Sequence, residues 1–422
     1  MKKLFALLMS FAMVLSMAVF ASAEEVPFAG SGTEEDPYII ATVADLTALS
    51  DAINSDADGV YYGAYFKQTA DLDLSGIENW IPIGYDDLNG YYFLGHYDGG
   101  NHWIKNMTST NNLVEGDDDM FASLFGIIYE GSVSNLHMVN AKCTAVPTGD
   151  EYIAGFAAGI AGAALVSTFE NCSVVDSVFS ADHTKNNLHY AGGVVGWLFE
   201  EGCSMTACSA TNCTVSVGSW GYGGGVAGEY MADYYSSEMS MTDCYAANCT
   251  VTTVNSDDKA RALGGVVGEA CCTFTLKNTF AYDCTVSDAA TFSGPVYGEL
   301  YAYGNEGTVL IAENNYYNAE TAPEEDPAGV TYITDAAFLT LDLGEAYTAG
   351  EKYPVLVSAP ALPQAIAGDV DASGTVDTAD AILVMQYLVG NLSSLELTVA
   401  DLNGDGKITI YDAVEVLRII SA

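Results

Sequence analysis

Gly192-Gly-Val-Val-Gly196, followed by Met205-Thr-Ala-Cys208 and Asn212, is one copy of a unit that recurs along the chain. The glycine-framed stretch has three further close copies and two looser ones: Gly224-Gly-Val-Ala-Gly228, Gly264-Gly-Val-Val-Gly268, Gly294-Pro-Val-Tyr-Gly298, Ser123-Leu-Phe-Gly126 and Gly155-Phe-Ala-Ala-Gly159. The second fragment occurs six times, and its last residues stand 36, 36, 36, 35 and 36 positions apart: Leu136, Cys172, Cys208, Cys244, Thr279 and Asn315. A constant period over six units predicts a solenoid.

Each unit consists mostly of short stretches of β-branched and small residues separated by turn residues, which favours strands. The predicted fold is therefore mainly β, a right-handed parallel β-helix (β-solenoid) over residues 121–320. Three short strands at about 3.3 Å per residue use fewer than the 36 residues of one period. We therefore expect a protruding loop on each turn, longest near Tyr230 to Glu238.

A column of Asn and Asp residues accompanies the repeat. Four residues after each of the first five fragments stands Asn140, Asp176, Asn212, Asn248 or Asp283. Side chains at one position of successive turns stack at the strand spacing, and asparagines can hydrogen-bond along such a stack. No two aspartates are neighbours in the column, as like-charge repulsion requires. The column predicts a structural ladder.

All ten cysteines lie between Cys143 and Cys284, and most form two columns: Cys172, Cys208 and Cys244, then Cys213, Cys249 and Cys284. An interior ladder of small apolar thiols is the favoured interpretation. Disulfides between stacked neighbours are the second, because secretion would permit them. Zinc is the third, since the sequence has no Cys-x2-Cys pair and no histidine at finger spacing.

Residues 24–120 are predicted to form an N-terminal segment that leads into the repeats. It opens with Gly30-Ser-Gly-Thr-Glu-Glu-Asp-Pro37, a turn before a strand, and Thr42 caps a helix in which Leu46, Leu49 and Ile53 share a face. The glycine-framed strands followed by Asn-Leu or Asn-Cys resemble the GLUG repeat of bacterial extracellular proteins, and this opening resembles the leader of such repeats. That resemblance supports the fold.

Two copies of an acidic loop, each followed by an apolar-periodic segment, lie in residues 368–422. They read Asp369-Val-Asp371-Ala-Ser373-Gly374-Thr375-Val-Asp377-Thr-Ala-Asp380 and Asp401-Leu-Asn403-Gly-Asp405-Gly406-Lys407-Ile-Thr409-Ile-Tyr-Asp412. Oxygen-bearing side chains stand at loop positions one, three, five, nine and twelve. Glycine stands at position six, where the backbone must turn sharply.

This spacing predicts two calcium ions, because a hard cation takes six to eight converging oxygens. Position seven contributes a backbone carbonyl whatever its side chain, so Thr375 and Lys407 both suit it. The predicted metal-binding residues are Asp369, Asp371, Ser373, Thr375, Asp377, Asp380, Asp401, Asn403, Asp405, Lys407, Thr409 and Asp412. The following segments predict short helices, and hence a small all-α calcium-binding domain.

An EF-hand carries Glu at position twelve and a helix before its loop, whereas here position twelve is Asp380 or Asp412 and Ala400 precedes the second loop. Residues from Gly368 to about Ile420 resemble a type I dockerin of cellulosomal enzymes. The resemblance implies calcium-dependent docking to the cohesin domain of a scaffold protein and a role in polysaccharide breakdown. It implies partner-binding positions at Thr378, Ala379, Met385, Ile410, Tyr411, Leu417 and Arg418.

The chain begins with a basic Met1-Lys2-Lys3, an apolar stretch from Leu4 to Phe20 and a small-residue Ala21-Ser22-Ala23. This pattern predicts a signal peptide over residues 1–23 and an extracellular, secreted protein without a membrane span.

With 56 acidic against 12 basic residues, the formal net charge is −44. That balance argues against nucleic acid and anionic membranes as partners. Residues 321–357 are predicted to close the solenoid, and residues 358–367 to form a Pro/Ala linker.

No catalytic constellation stands out in the solenoid. Its few cations are scattered, and the histidines form no recognised pattern: His96, His102, His137, His183 and His189. Tyrosine and tryptophan clusters would suit stacking on sugars, although a core position or the strand preference of tyrosine is the favoured interpretation for any single residue: Tyr61, Tyr62, Tyr65, Tyr91, Tyr92, Tyr97, Trp103, Trp220, Tyr222, Tyr230, Tyr234 and Tyr235. An appended glycoside hydrolase or polysaccharide lyase, and a non-catalytic carbohydrate-binding or adhesin-like solenoid, therefore both stay open.

Overall fold

A computed structural model describes residues 27–55, 59–85, 90–110, 119–147, 154–182, 188–200, 202–232, 238–255, 259–271, 273–300, 310–319, 326–362, 366–370, 376–392, 395, 397–404 and 406–421 of the chain. The fold is mainly β, as predicted, and is a parallel solenoid of about six turns. Short helices follow it at the C-terminal end of the described chain. The predicted signal peptide and the loop residues Asp371, Ser373, Thr375 and Asp405 lie outside the described residues.

The described part of the N-terminal segment contains one helix and five strands: β1 (Tyr38–Ile40), α1 (Val43–Ile53), β2 (Tyr65–Gln68), β3 (Leu72–Asp73), β4 (His96–Lys105) and β5 (Thr108–Thr110). Helix α1 starts as predicted, because Thr42 and Asp45 cap it reciprocally. Its predicted apolar face is confirmed, since Leu46, Leu49 and Ile53 are buried in the main core.

The turns of the solenoid follow one another in chain order. The first turn has four strands: β6 (Met120–Ala122), β7 (Phe125–Tyr129), β8 (Ser132–Val139) and β9 (Lys142–Ala145). The second and third have five each: β10 (Gly155–Ala158), β11 (Ala161–Leu165), β12 (Thr168–Glu170), β13 (Ser173–Val175), β14 (Val178–Ala181), β15 (His189–Gly192), β16 (Val195–Phe199), β17 (Ser204–Thr206), β18 (Ser209–Thr211) and β19 (Thr214–Val217).

The fourth and fifth turns repeat the pattern: β20 (Tyr222–Gly224), β21 (Ala227–Met231), β22 (Glu238–Thr242), β23 (Tyr245–Ala247), β24 (Thr250–Thr253), β25 (Ala260–Gly264), β26 (Val267–Cys271), β27 (Thr273–Lys277), β28 (Phe280–Tyr282) and β29 (Thr285–Val286). The last turn contains β30 (Ala290–Gly294), β31 (Tyr297–Leu300), β32 (Leu310–Glu313) and β33 (Asn315–Tyr317).

Each strand pairs in parallel with the equivalent strand of the next turn. Successive first strands form one sheet, β6-β10-β15-β20-β25-β30, and successive second strands form another, β7-β11-β16-β21-β26-β31. Strands β4 and β5 already pair with β8 and β9, so the parallel pairing begins before residue 121. A complete turn has five short strands, so the expectation of three strands with a large loop was wrong in the strand count.

Single residues with positive φ bend the chain between these short strands. Asn140, Asp176, Asn212, Asn248 and Asp283 have φ between 50° and 57° and mark one corner. Asn and Asp tolerate this left-handed conformation better than other side chains. The predicted ladder is confirmed: the Asn212 amide donates to Asp176 Oδ1 at 2.8 Å, and Asn248 donates to Asn212 Oδ1 at 3.1 Å. A second column, with Asn135, Asn171 and Asn278, forms the preceding corner.

The paired glycines mark a third corner, where backbones of adjacent turns come too close for a side chain. A Cβ on Gly225 would lie 2.1 Å from the Gly265 carbonyl oxygen of the next turn, and one on Gly224 would lie 2.7 Å from the Gly268 nitrogen of that turn. This close approach explains why the glycine-framed stretch recurs with the period of the turn.

The interior is filled by stacked apolar side chains and by the thiol columns. None of the nine cysteines that the structure describes forms a disulfide, and the two columns are interior apart from the partly exposed Cys284. Cys208 Sγ donates to the Phe169 carbonyl 3.7 Å away on the preceding turn. Burial raises the pKa of Cys172 and Cys208 well above the usual value. The ladder interpretation is confirmed for these residues.

The segment after the solenoid contains β34 (Val330–Tyr332), α2 (Asp335–Phe338), β35 (Tyr347–Thr348) and β36 (Val355–Leu356). Strand β34 extends the sheet of β33 in parallel, whereas β35 and β36 pair with each other. Phe338, Tyr347 and Leu356 pack with Tyr245 and Phe280 of β23 and β28. The Tyr347 hydroxyl donates to the Asn278 carbonyl at 3.0 Å. This segment therefore covers the outer face of the sheet that contains β23 and β28.

Candidate functional sites

The last helices are α3 (Thr378–Leu388), α4 (Leu397–Ala400) and α5 (Ile410–Ile420). Helices α3 and α5 begin in the same way, because a residue at loop position nine caps each one. The capping residues are Asp377 and Thr409, and their reciprocal partners are Asp380 and Asp412 at position twelve. The loop motif therefore contains the start signal of the helix that follows it.

The carboxylates at position twelve are fully buried and tie the two ends of each loop together. Asp380 accepts from the backbone N–H of Val370 at 2.6 Å and of Asp377 at 2.7 Å. Asp412 accepts from Leu402 at 3.0 Å and from Thr409 at 2.8 Å. Burial raises the pKa of Asp412, but these hydrogen bonds outweigh it and hold the pKa below its usual value. The second loop thus keeps an ionised carboxylate inside the domain.

Position one is also held in place by the backbone. Asp401 accepts from the N–H groups of Gly404 at 2.8 Å and Gly406 at 2.7 Å. Gly406, at position six, has φ of 79°, the sharp turn that its loop position requires. In the first loop Asp369 is buried. The described donor set is dominated by carboxylate oxygen and fits a hard cation such as calcium.

The Thr409 hydroxyl is engaged in the helix cap, where it donates to Asp412 Oδ2 at 2.9 Å. Asp377 Oδ1 likewise accepts from the Ala379 N–H at 2.6 Å. Lys407 is exposed at position seven of the second loop. Asn403 is exposed at position three of the second loop. The two loops differ in ligand type at positions three, five and nine, where Asp371, Ser373 and Asp377 of the first loop correspond to Asn403, Asp405 and Thr409 of the second.

The residues expected to bind a partner are all exposed: Thr378, Ala379, Met385, Ile410, Tyr411, Leu417 and Arg418. Helices α3 and α5 pack against each other through Val384, Ala381, Ala413 and Val416, which are buried. On the opposite faces, Ile382 and Val389 extend the α3 positions, and Val414 extends those of α5. Exposed apolar side chains at helical spacing therefore lie on both helices, and Tyr411 is 71% exposed.

The aromatic clusters do not form one exposed stripe. Tyr97 and Tyr230 are in the core, Trp103 is buried, and Tyr62 and Trp220 are exposed. Tyr234 and Tyr235 lie outside the described residues. A stacked row that sequence analysis missed lies on the outer face of the first-strand sheet: Phe121, Phe156, Tyr190 and Tyr222, with ring centroids 4.8, 5.0 and 5.3 Å apart. Three of these rings are buried.

A buried carboxylate cluster lies on the neighbouring second-strand sheet. Trp197, Glu229, Glu269 and Glu299 occupy one register position on β16, β21, β26 and β31. Arg261 Nη2 lies 2.7 Å from Glu299 Oε2, and its Nε lies 3.4 Å from Glu269 Oε2. We call Glu229, Glu269, Glu299, Arg261 and Cys271 the carboxylate cluster.

Two glutamates of this cluster have pKa values well above the usual value of a carboxyl group. Burial raises the pKa of Glu229 to about 8 despite the nearby positive charge of Arg261. Burial and the negative charge of Glu229 raise the pKa of Glu269 to about 8. The sequence does carry a signal for this site, because Gly228-Glu229, Gly268-Glu269 and Gly298-Glu299 end three successive glycine-framed stretches. Sequence analysis treated those stretches only as strands.

Comparison with known proteins gives one match for the C-terminal domain and separate matches for other parts of the chain. Residues 367–421 match the family model of the dockerin type I domain. Over 155 residues the chain is 32% identical to a protein of Evansella cellulosilytica described as a Gly-rich membrane protein. That match takes in 35% of this chain and 15% of the relative, so the chain spans only a small part of it. Within the described residues no helix has the length and apolar character needed to span a membrane.

Among solved structures, a protein of Bacteroides ovatus assigned as an immunoglobulin A1 protease is similar in fold, with a TM-score of 0.52 and 21% identity. The similarity covers 78% of this chain and 95% of that one. A structure of an IgA1 protease has a TM-score of 0.38 and 14% identity, over 66% of this chain and 21% of its own. A dockerin domain implies a cohesin partner in a cellulosome-type assembly, and type I dockerins generally bind calcium. Residues 367–421 are thus a dockerin type I domain that follows a parallel β-solenoid.

Proposed function

We propose that this chain is a secreted component of a cellulosome-type complex, which docks through its calcium-loaded dockerin domain to a cohesin and takes part in extracellular polysaccharide degradation. The main support for the proposal is the doubled loop. In each copy a buried carboxylate, that of Asp380 or Asp412, accepts a hydrogen bond from a backbone N–H ten residues earlier and so joins the two ends of the loop. Such an arrangement holds ligand oxygens in place before the cation arrives, which lowers the cost of binding.

Two calcium ions are proposed, one for each loop, with the twelve metal-binding residues predicted above. Docking is proposed through the exposed positions at the start of α3 and α5 and further along each helix. Because both helices expose apolar side chains, the cohesin would bury apolar area at a surface that water now covers. The proposed division of the chain is a signal peptide (1–23), an N-terminal segment (24–120), the solenoid (121–320), a closing segment (321–357), a linker (358–367) and the dockerin domain (368–422).

A second candidate function for the solenoid is a non-catalytic carbohydrate-binding or adhesin-like module. It is favoured by the burial of the carboxylate cluster, where Glu229 is 2% and Glu269 1% exposed. A polymeric sugar does not reach carboxylates so deeply covered, and glycoside hydrolysis needs two carboxyl groups in contact with the scissile bond.

Docking is tested by titrating the chain from Glu24 with a panel of type I cohesins in calcium and in excess chelator. We expect tight binding in calcium that is lost in chelator and in the double variant Asp369→Ala, Asp401→Ala. A matched double variant outside the loops, Asp342→Ala with Asp288→Ala, should bind as the parent does. Equal binding by the loop variant and the parent would disprove the docking assignment.

The role of the solenoid is tested with residues 24–357 and a panel of plant and host polysaccharides. New reducing ends or unsaturated products would assign an enzyme. Retention on insoluble substrate without cleavage would assign the binding module. Neither outcome alters the docking result, so the two parts of the proposal can fail independently.

A further inference from the structure

The carboxylate cluster brings three possible metal ligands together without any loop motif. One carboxylate oxygen of Glu229, one of Glu269 and the Cys271 sulfur all lie within 4.8 Å of one another. Glu229 and Glu269 are register partners on adjacent parallel strands. Cys271 follows Glu269 by two residues on β26, so both side chains leave the same face of the sheet. The regular stacking of the repeats therefore brings these three side chains together.

These side chains are removed from water. Glu229, Glu269 and Cys271 are 2%, 1% and 3% exposed. Among the residues that the structure describes, Glu229 Oε2 and Glu269 Oε2 accept no hydrogen bond, although Arg261 Nε lies 3.4 Å from Glu269 Oε2. A buried carboxylate oxygen without a donor costs free energy, and proteins avoid that cost by pairing the charge or by coordinating a metal.

The nearby cation would not balance the cluster if all three of its carboxylates were ionised. Arg261 is the basic side chain that contacts the cluster, and its closest contact is the 2.7 Å pair with Glu299. Its guanidinium also lies 4.5 Å from the centroid of the Phe292 ring. One guanidinium therefore faces three carboxylates, and the charge of the ionised cluster is about −2 before the thiol is counted.

The ligand types select the class of cation. Calcium and magnesium take oxygen ligands, whereas zinc binds thiolate sulfur, imidazole and carboxylate oxygen in compact sites. We propose that Glu229, Glu269 and Cys271 form a site for a divalent cation of the zinc type, on the outer face of the solenoid and separate from the dockerin loops.

The cysteine involved is unlike the ladder cysteines. Cys172 and Cys208 point into the core between carbonyls of their own and the preceding turn. Cys271 also donates to a carbonyl of the preceding turn, that of Tyr230 at 3.7 Å, but it shares the face of Glu269 and lies beside a carboxylate pair. The metal would bridge β21 and β26 and so tie two turns together where carboxylates would otherwise repel each other.

The test uses the full chain from Glu24, first stripped with chelator and then saturated with calcium so that the dockerin loops are filled. Zinc is titrated by calorimetry, and cobalt(II) is titrated in parallel because a cobalt–thiolate bond gives a charge-transfer absorption band. We expect one zinc equivalent beyond the calcium, and a cobalt–thiolate band that zinc displaces.

The variants are Cys271→Ser, Glu229→Gln and Glu269→Gln, with Cys203→Ser and Glu238→Gln as matched controls. We expect Cys271→Ser to abolish the cobalt band, and each Gln variant to weaken zinc binding by about tenfold or more. The controls should bind as the parent does, and far-ultraviolet circular dichroism checks that every variant is folded. The absence of a zinc equivalent in the calcium-saturated parent, or an unchanged cobalt band in Cys271→Ser, would overturn the proposal. The parent measurement stands even if a variant does not fold.

Discussion

Ala207 occupies the corner position one turn after Asn171, and Asn171 Oδ1 has no hydrogen-bond partner among the described residues. The Asn171 side chain donates to Asn135 Oδ1 at 2.8 Å on the preceding turn. Two turns later the same column resumes, where Asn278 donates to Asp243 Oδ1 at 2.9 Å. Ala207 thus interrupts a ladder that continues on both sides of it.

Replacing Ala207 with Asn is expected to stabilise the solenoid. Ala207 has φ of 52°, a conformation that costs a non-glycine residue on the order of 1–2 kcal/mol and that Asn tolerates better. The new amide would also donate to Asn171 Oδ1 and satisfy a buried acceptor, which adds on the order of 1 kcal/mol. Chemical denaturation of parent and variant measures the sum of these two contributions to the free energy of unfolding.

Ala207→Gly separates the two contributions, because glycine removes the backbone strain and supplies no donor. We expect an intermediate stability for Ala207→Gly, lowered somewhat by the greater entropy of the unfolded glycine chain. An Asn variant no more stable than the Gly variant would show that the ladder bond is absent.

The period, the Asn column and the thiol columns could be predicted because each depends only on which residues recur. The number of strands in a turn could not. A single left-handed residue such as Asn212 or Asn171 bends the chain without any loop, and composition does not reveal that φ is positive there. Sequence analysis therefore assigned the surplus residues to loops.

The dockerin type I domain was predicted from the spacing of its two loops, because that spacing is local in the chain. The carboxylate cluster was not, although its Gly-Glu pairs are visible in the sequence. Glu229 and Glu269 lie 40 positions apart in the chain. Only the strand register places them side by side and shows that both face away from the core.

His137 gives the solenoid a defined acid sensitivity. The imidazole is buried, with Nδ1 2.7 Å from Ser173 Oγ, and burial lowers its pKa to about 4. The unfolded chain has the usual pKa of about 6.5, so below that pH it binds a proton that the folded state does not. Stability from this group is complete above pH 6.5, falls as pH drops toward 4, and then levels off. The total loss is about 3 kcal/mol.

Denaturation of the parent and of His137→Gln at pH 7.5, 5.5 and 4 isolates this effect, because the carboxylates titrate equally in both proteins. The stability difference between parent and variant should shrink as the pH falls. A difference for His137→Gln that does not change with pH would contradict the burial argument.

Asp412→Ala is expected to remove one calcium site and leave the other. The substitution leaves the backbone N–H groups of Leu402 and Thr409 without their acceptor, which costs on the order of 1–3 kcal/mol in addition to the lost ligand. Calorimetry should find one calcium ion bound in place of the proposed two. Glu415→Gln, on the same helix but outside the loop, should keep both; two ions bound to Asp412→Ala would exclude position twelve as a ligand.

The two helices offer the cohesin different side chains at equivalent positions. Thr378-Ala379 precede the exposed Ile382 on α3, whereas Ile410-Tyr411 begin α5, and Tyr411 is the larger and more exposed. Large aromatic side chains dominate binding energy when they are buried at the centre of an interface. We therefore expect Tyr411→Ala to weaken cohesin binding by about 2 kcal/mol or more, roughly a 30-fold rise in Kd, and Thr378→Ala to change it little. Cohesin titrations in calcium measure both. Equal, small losses from the two single variants, with a large loss only when they are combined, would show that the domain docks through either helix.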